Sequence, residues 1–192
     1  YQVRATAYGS QVGLEVDGVQ VLAGTLNLPV PSGQIGFWCM GRAPIHLTDV
    51  QIQASRPEAF VVMQFSAPFD DLYADVIRRV CEASGLSPVR ADELYGPGLI
   101  VSDVAQQIVR SRVVIADVTP INANVFFEVG YAFALNKPVI LLAEKTTKLP
   151  FDISPFRVLF YENSIAGKAR VEAGLQRHLD TIMGTDLANT GP

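Results

Sequence analysis

The stretch that most constrains this chain is RVVIADVTPINANVFFEVGYAFALNKPVILLAE, residues 112–144. It reads as strand, loop, helix, strand. An apolar, β-branched run from Arg112 to Asp117 ends on a carboxylate, and Val118 to Ala123 form a loop. The helix runs from about Asn124 to Leu135, and Pro138 opens a second strand, Val139 to Ala143. Phe126, Phe127, Val129, Ala132, Phe133, Ala134 and Leu135 are spread around nearly every side of that helix, which predicts that it is mostly buried. Glu128 is the only charge within it. A carboxylate in such surroundings is costly unless it is paired, neutralised or used. Glu128, with Asp117 at the preceding strand end, is therefore the first candidate for function.

Residues 59–183 alternate β and α patterns around this centre. Ala59 to Phe65 reads as a buried strand and Asp70 to Ser84 as an amphipathic helix, capped by Asp70 or Asp71 and ended by Gly85. Pro88 to Ala91 is a short strand and Ile100 to Arg110 a helix. After the central unit come a polar loop from Lys145 to Ser154, a strand from Val158 to Tyr161 and a closing helix from Ala166 to Met183. The tail, residues 184–192, is expected to be flexible. Short strands alternating with helices predict an α/β domain with a parallel, doubly wound sheet of five strands. Ligands of such sheets sit outside the carboxyl ends of the strands. The loops Gln64 to Pro68, Ala91 to Glu93 and Asp117 to Asn124 therefore share one rim.

Residues 1–54 differ, with short alternating runs and no helix pattern. Tyr1 to Ala7 and Val12 to Val16 alternate, Gly9-Ser10 makes a turn, and Asp17-Gly18 is a strong hairpin signal before Val19 to Leu22. Leu26 to Ser32, with Pro29 and Pro31, reads as a loop. Gln34 to Cys39 and Ile45 to Ile52 read as further strands, so four or five strands are expected, part of a β-sandwich. The sequences LEVDGVQVLAG and PSGQIGFWCMGRAPIHLTDVQI resemble the closing strands of concanavalin-like jelly-roll modules. That resemblance implies a carbohydrate or protein contact through this segment. Phe37 and Trp38 offer either a sugar platform or, as alternation favours, core residues on opposite faces of a strand. Residues 55–58, with Arg56-Pro57, form a linker.

A net charge of −4 without a basic block argues against nucleic acid as a partner. No apolar run approaches the roughly 18 residues of a membrane helix. Cys39 and Cys81 match no metal or redox spacing and are expected as buried thiols of a reducing, cytoplasmic compartment. His46 and His178 are isolated, so no metal site is expected. The chain begins at Tyr1 rather than Met and is expected to be a piece of something longer.

On the rim, Asn124, Glu128 and Ala132 share a helix face, with Tyr131 on a neighbouring stripe. If Asn124 caps the helix, Glu128 stands near the first-turn N–H groups, which favour its ionised form. It then serves either as nucleophile or cation stabiliser, or as a residue complementing the helix dipole. Asp117 either contacts a sugar or organises its own loop through the N–H of Thr119 or Ile121. Asn122 and Asn124 are candidates for ligand binding and for capping. No P-loop, GxGxxG or GxSxG pattern is present, and the Gly96-Pro97-Gly98 stretch is a turn signal.

With these residues in view, residues 59–161 resemble the nucleoside 2-deoxyribosyltransferase-like and Toll/interleukin-1-receptor (TIR)-like superfamily, chiefly its bacterial branch. The match is carried by FVVMQFSAPFDDLY (60–73), RADE (90–93), DVAQQIVRSRVVIADVTPINANVFFEVGYAFALNKPVILL (103–142) and LPFDI (149–153), with Arg157 and Tyr161 following. The resemblance implies a flavodoxin-like sheet binding a nucleoside, nucleotide or NAD. It implies no cofactor, with NAD as a substrate. Glu128 matches the transferases' nucleophile and Asp117 a nucleoside contact. Ala123 and Phe133 depart from the family's Pro and His. The site expected is thus Glu128 and Asp117 as catalytic residues, with Asn124, Asn122, Tyr131, Gln64, Phe65 and Asp92 around the substrate, in a homo-oligomer. The rival expectation from the same resemblance is a non-catalytic nucleotide-sensing or self-associating TIR-like module.

Overall fold

The computed structural model describes residues 1–26, 36–38, 40–41, 44–93 and 100–188. Pro29, Pro31, Gln34, Cys39, the Gly96-Pro97-Gly98 turn and residues 189–192 lie outside them.

Five strands form one parallel sheet: β4 (Glu58–Val62), β5 (Ser87–Arg90), β6 (Val113–Asp117), β7 (Val139–Glu144) and β8 (Val158–Tyr161). Their order is β5-β4-β6-β7-β8. The first strand of this set lies inside the second and beside the third, which is the flavodoxin-like arrangement with a topological switch between β4 and β6. These strands read as unbroken apolar runs because both faces are covered. Successive side chains alternate between faces. Ala59, Val61, Val113, Ile115, Ile140 and Leu142 point to one side. There they meet Val76 and Ile77 of a π-helical turn (Tyr73–Ile77), Val80 of α2 (Arg78–Ala83), and Leu175 and Leu179 of α5 (Ile165–Ala188). Phe60, Val62, Val114, Ala116 and Leu141 point to the other side. They meet Val104 and Ile108 of α3 (Ile100–Arg110) and Val125, Val129 and Ala132 of α4 (Ala123–Ala134). A four-residue helix, α1 (Phe69–Leu72), leads into the π turn.

The N-terminal residues form a separate antiparallel sheet of β1 (Val3–Tyr8), β2 (Gln11–Val16) and β3 (Val19–Thr25). Asp17 and Gly18 both take positive φ, 50° and 81°, as a two-residue hairpin turn of the strand-matching hand requires. The Gly9-Ser10 turn seats against the end of α3. At Gly9, with φ +55°, an added Cβ would lie 2.1 Å from the carbonyl oxygen of Arg110, so only glycine fits. Ser10 and Lys137 are both buried. The Lys137 ammonium donates to Ser10 Oγ at 3.0 Å and to the carbonyls of Val109 and Ser111 at 2.5 and 2.9 Å. Burial lowers its pKa to about 8, with Arg112 acting the same way.

Several expectations are corrected. The first strand of the α/β layer ends at Val62 rather than Phe65. The closing helix continues past Met183 to Ala188. Residues 36–38 and 45–52 are not strands, and Phe37 and Trp38 are 61% and 83% exposed rather than core. Alternation makes a strand only where a neighbouring strand supplies the ladder, and the sheet described here has three. The central helix is buried along one stripe, not all round: Phe127 is 57% exposed.

Candidate functional site at the sheet rim

The switch point lies between the ends of β4 and β6, and the loops there are cross-tied. Asn122 is the N-cap of α4: its Oδ1 accepts the N–H of Asn124 at 2.9 Å, and its Nδ2 donates to Gln64 Oε1 at 3.3 Å. One side chain thus ends the β6–α4 loop and joins it to the residues after β4. Asn122→Ala is expected to cost about 1 kcal/mol through the lost cap, and Asn122→Gly only a few tenths. Urea unfolding of the two variants checks this, and equal losses would contradict it.

Capping by Asn122 rather than Asn124 changes the setting of Glu128. It stands six positions beyond the cap, about 9 Å along the axis, outside the first turn. The free N–H groups do not control it. It flanks the buried stripe of Val125, Val129 and Ala132, and burial pushes its carboxyl up to about 7. Among the described residues, no hydrogen bond or ion pair engages Glu128.

Asp117 is 1% exposed. Its Oδ1 accepts the N–H of Thr119 at 2.9 Å and its Oδ2 the hydroxyl of Tyr161 at 2.6 Å. Burial raises its carboxyl to about 7 and Glu144 adds to this, while the bonds from Tyr161 and Thr119 act to lower it. Thr119 is tied further. Its Oγ1 accepts the N–H of Glu144 at 2.9 Å and lies 2.8 Å from Thr147 Oγ1. By the alternation of the strand, Asp117 falls on the face of Ile115, Leu142 and Tyr161, whereas α4 and Glu128 cover the opposite face. The two carboxyls belong to opposite faces of the sheet.

The remaining candidates divide. Asn124 is exposed, and its backbone serves the cap. Tyr131 is half-buried and stacks with Phe127 at 6.4 Å. Both carboxylate oxygens of Asp92 accept from Arg90, at 2.6 and 2.7 Å, so its engagement is with that guanidinium. Arg90 also reaches Asp70 at 2.6 Å and lies 5.4 Å from the centroid of Phe65 and 4.7 Å from that of Tyr73. Phe65 is thereby held at the rim from behind, 44% exposed. On the Asp117 face, a cleft of about 480 Å³ is lined by Phe69, Asp71, Glu144, Tyr161, Glu162 and Lys168. Tyr161, Thr119 and Arg90 were not singled out as site residues from the sequence. The signal for Tyr161 lay in its place at the end of a parallel strand, on the same rim as Asp117. Among the described residues, no group of His, Cys, Asp and Glu could hold a metal ion, and no helix is long and apolar enough to cross a membrane.

The TIR domain of the Toll-related receptor TRR-2 from Hydra magnipapillata shares the fold at a TM-score of 0.50 and 14% identity, over 65% of this chain and 96% of that one. The CMP N-glycosidase BcmB of Clostridium botulinum aligns at a TM-score of 0.44 and 16% identity, over 61% of this chain and 98% of that one. No curated protein matches in sequence. The model of the nucleoside 2-deoxyribosyltransferase family matches residues 64–182, from the Gln64 rim through Glu128 to the closing helix, and the chain belongs to that family.

Proposed function

We propose that this chain cleaves or transfers at the N-glycosidic bond of a nucleoside, nucleotide or NAD, with Glu128 as nucleophile or cation stabiliser. The observation that carries this reading is the half-buried Glu128 carboxyl, which no described residue engages, on a helix that starts at the switch point. A structural carboxylate in apolar surroundings is ordinarily paired. One left unpaired is available to a ligand. Family membership supports the substrate class.

In this reading the Glu128 carboxylate approaches the anomeric carbon as the C–N bond breaks. The bonding pair leaves on the base nitrogen; the base of a nucleoside or nucleotide takes up a proton from water, whereas the nicotinamide of NAD leaves neutral. The positive charge that develops at the sugar is stabilised by the carboxylate or captured as an ester. Water then yields the free sugar, or a second base yields a new nucleoside. Asn124 and Tyr131 line the Glu128 side, and Gln64 and Phe65 the wall across the switch point. Asp117, buried beneath the rim, holds the β6–α4 loop.

Base release tests the reading. The protein is incubated with NAD and a panel of ribo- and deoxyribonucleosides and their monophosphates, and free base is followed by chromatography. Release from one class identifies the substrate. Absence of release from every compound at high protein concentration would remove the glycosidic assignment.

A further inference from the structure

We propose that Tyr161 is a positioning residue for this reaction: its hydroxyl reaches over β7 to hold Asp117 as a fixed acceptor, and Asp117 in turn fixes the loop that starts α4. The inference rests on the glycosidic reading for its functional meaning, but its structural part stands on the bonds themselves.

Asp117 pairs with Leu142 on β7, and Glu144, two residues further, pairs with Tyr161 on β8. All four lie on one face by alternation, and Tyr161 sits one pleat nearer the rim. From there its hydroxyl meets Asp117 Oδ2 at 2.6 Å in a buried setting. The other oxygen, Oδ1, takes the N–H of Thr119 at 2.9 Å. A carboxylate that accepts on both oxygens is fixed in direction. The Thr119 bond then sets the course of the chain from β6 to the Asn122 cap, and so the placement of α4. Tyr161 thus acts on Glu128 from the opposite face of the sheet, through Asp117 and the loop.

From β7 the charged neighbour of Asp117 is Glu144, whose like charge opposes ionisation, and from β8 the neutral Tyr161 hydroxyl donates to it. From the elements that cover the same face, Asp71, Asp75, Glu162 and Lys168 line the adjoining cleft. On the β4 side, Val62 pairs with Ala116, and the rim residues that follow, Met63 and Gln64, are neutral. The Tyr161 bond favours the ionised acid, so its loss disfavours that form.

The test replaces Tyr161 with Phe, which keeps the ring and removes only the donor. The Asp117 side-chain carboxyl is titrated by ¹³C NMR, with Asp117→Asn used to assign the signal. The midpoint is expected to rise by about one unit, a tenfold change in the ionised-to-neutral ratio. The acid limb of the kcat/KM profile for base release is expected to move up with it. The double variant Tyr161→Phe with Asp117→Asn should release base no more slowly than Asp117→Asn alone, since Tyr161 acts through Asp117. A 3,5-difluorotyrosine at position 161, a stronger donor of nearly the same size, should move the midpoint down, and it serves as the second variant if Phe impairs folding. An unmoved midpoint overturns the coupling. A moved midpoint with an unmoved acid limb, or additive effects in the double variant, overturns the role in the reaction. If the wild-type chain releases no base, the glycosidic reading fails, while the titration still decides whether Tyr161 controls Asp117.

Discussion

Glu128→Gln lowers base release by at least about a thousandfold in kcat/KM, or roughly 4 kcal/mol of transition-state stabilisation, while the chain remains folded. The amide is nearly isosteric with the acid, so the packing beside Val125, Val129 and Ala132 is preserved. No described residue bonds to Glu128, so no structural hydrogen bond is lost with the carboxylate. What disappears is the anionic oxygen. An amide cannot form the ester, and it offers a developing sugar cation only a dipole. The wild-type pH profile carries the same information. Burial holds Glu128 at about 7, and only the ionised form acts. Asp117 titrates in the same range and supports the site in its ionised form, so below about 7 kcat/KM falls by up to about a hundredfold per pH unit, and above it levels off. Chromatographic assay of both proteins from pH 5 to 9 checks both statements. Residual activity within tenfold of wild type would dismiss Glu128 from the chemistry.

The same substitution makes the protein more stable at pH 8, by on the order of 1–2 kcal/mol once solvent screening of the half-exposed carboxyl is allowed for. Glu128 and Asp117 each have a folded-state pKa raised from the ordinary carboxylate value to about 7, in both cases chiefly by burial. Between the unfolded and folded values the folded chain binds more protons than the unfolded one, so stability falls as pH rises. The contribution of each acid is complete below the unfolded value, near 4, and is lost as pH rises through about 7. A glutamine at 128 carries no charge to bury. The variant should therefore match the wild type near pH 4 and exceed it at pH 8, read by urea unfolding at a series of pH values. Glu162, whose pKa is depressed by Lys145, works in the opposite sense, but it is an exposed pair and weakly so. A variant no more stable than wild type at pH 8 would mean that water or a mobile group already solvates Glu128. The two results together describe a carboxylate kept at a cost to stability for what it does when ionised.

The α/β layer was legible because its signals are local and redundant. Val113 to Ala116, Val139 to Ala143 and the α4 stripe are each too apolar for anything but a two-sided core, and their alternation leaves one topology class. The hairpin at Asp17-Gly18 was legible for a similar reason: two positive φ angles are needed, and that dipeptide supplies them. Residues 45–52 were misread because strand alternation is only half of a strand, the other half being a neighbour that no local pattern reveals. At the site, Glu128 and Asp117 stood out as charges in apolar runs, which one sequence suffices to show. Their presentation from opposite faces did not, because it depends on which side α4 crosses the sheet. The Tyr161 bond spans 44 positions in sequence. The Arg90 bond to Asp70 likewise joins residues 20 positions apart, and neither is visible before the strands are ordered.

The Gly9-Ser10 turn and Lys137 meet where β6 and β7 begin, whereas Asp117 and Glu144 stand where those same strands finish. Adhesion of the small sheet and the candidate site at the rim therefore draw on separate residues at opposite poles. Selection on one is largely free of selection on the other. Substitutions at Gly9 or Lys137 are therefore expected to loosen the small sheet while leaving the residues around Glu128 in place.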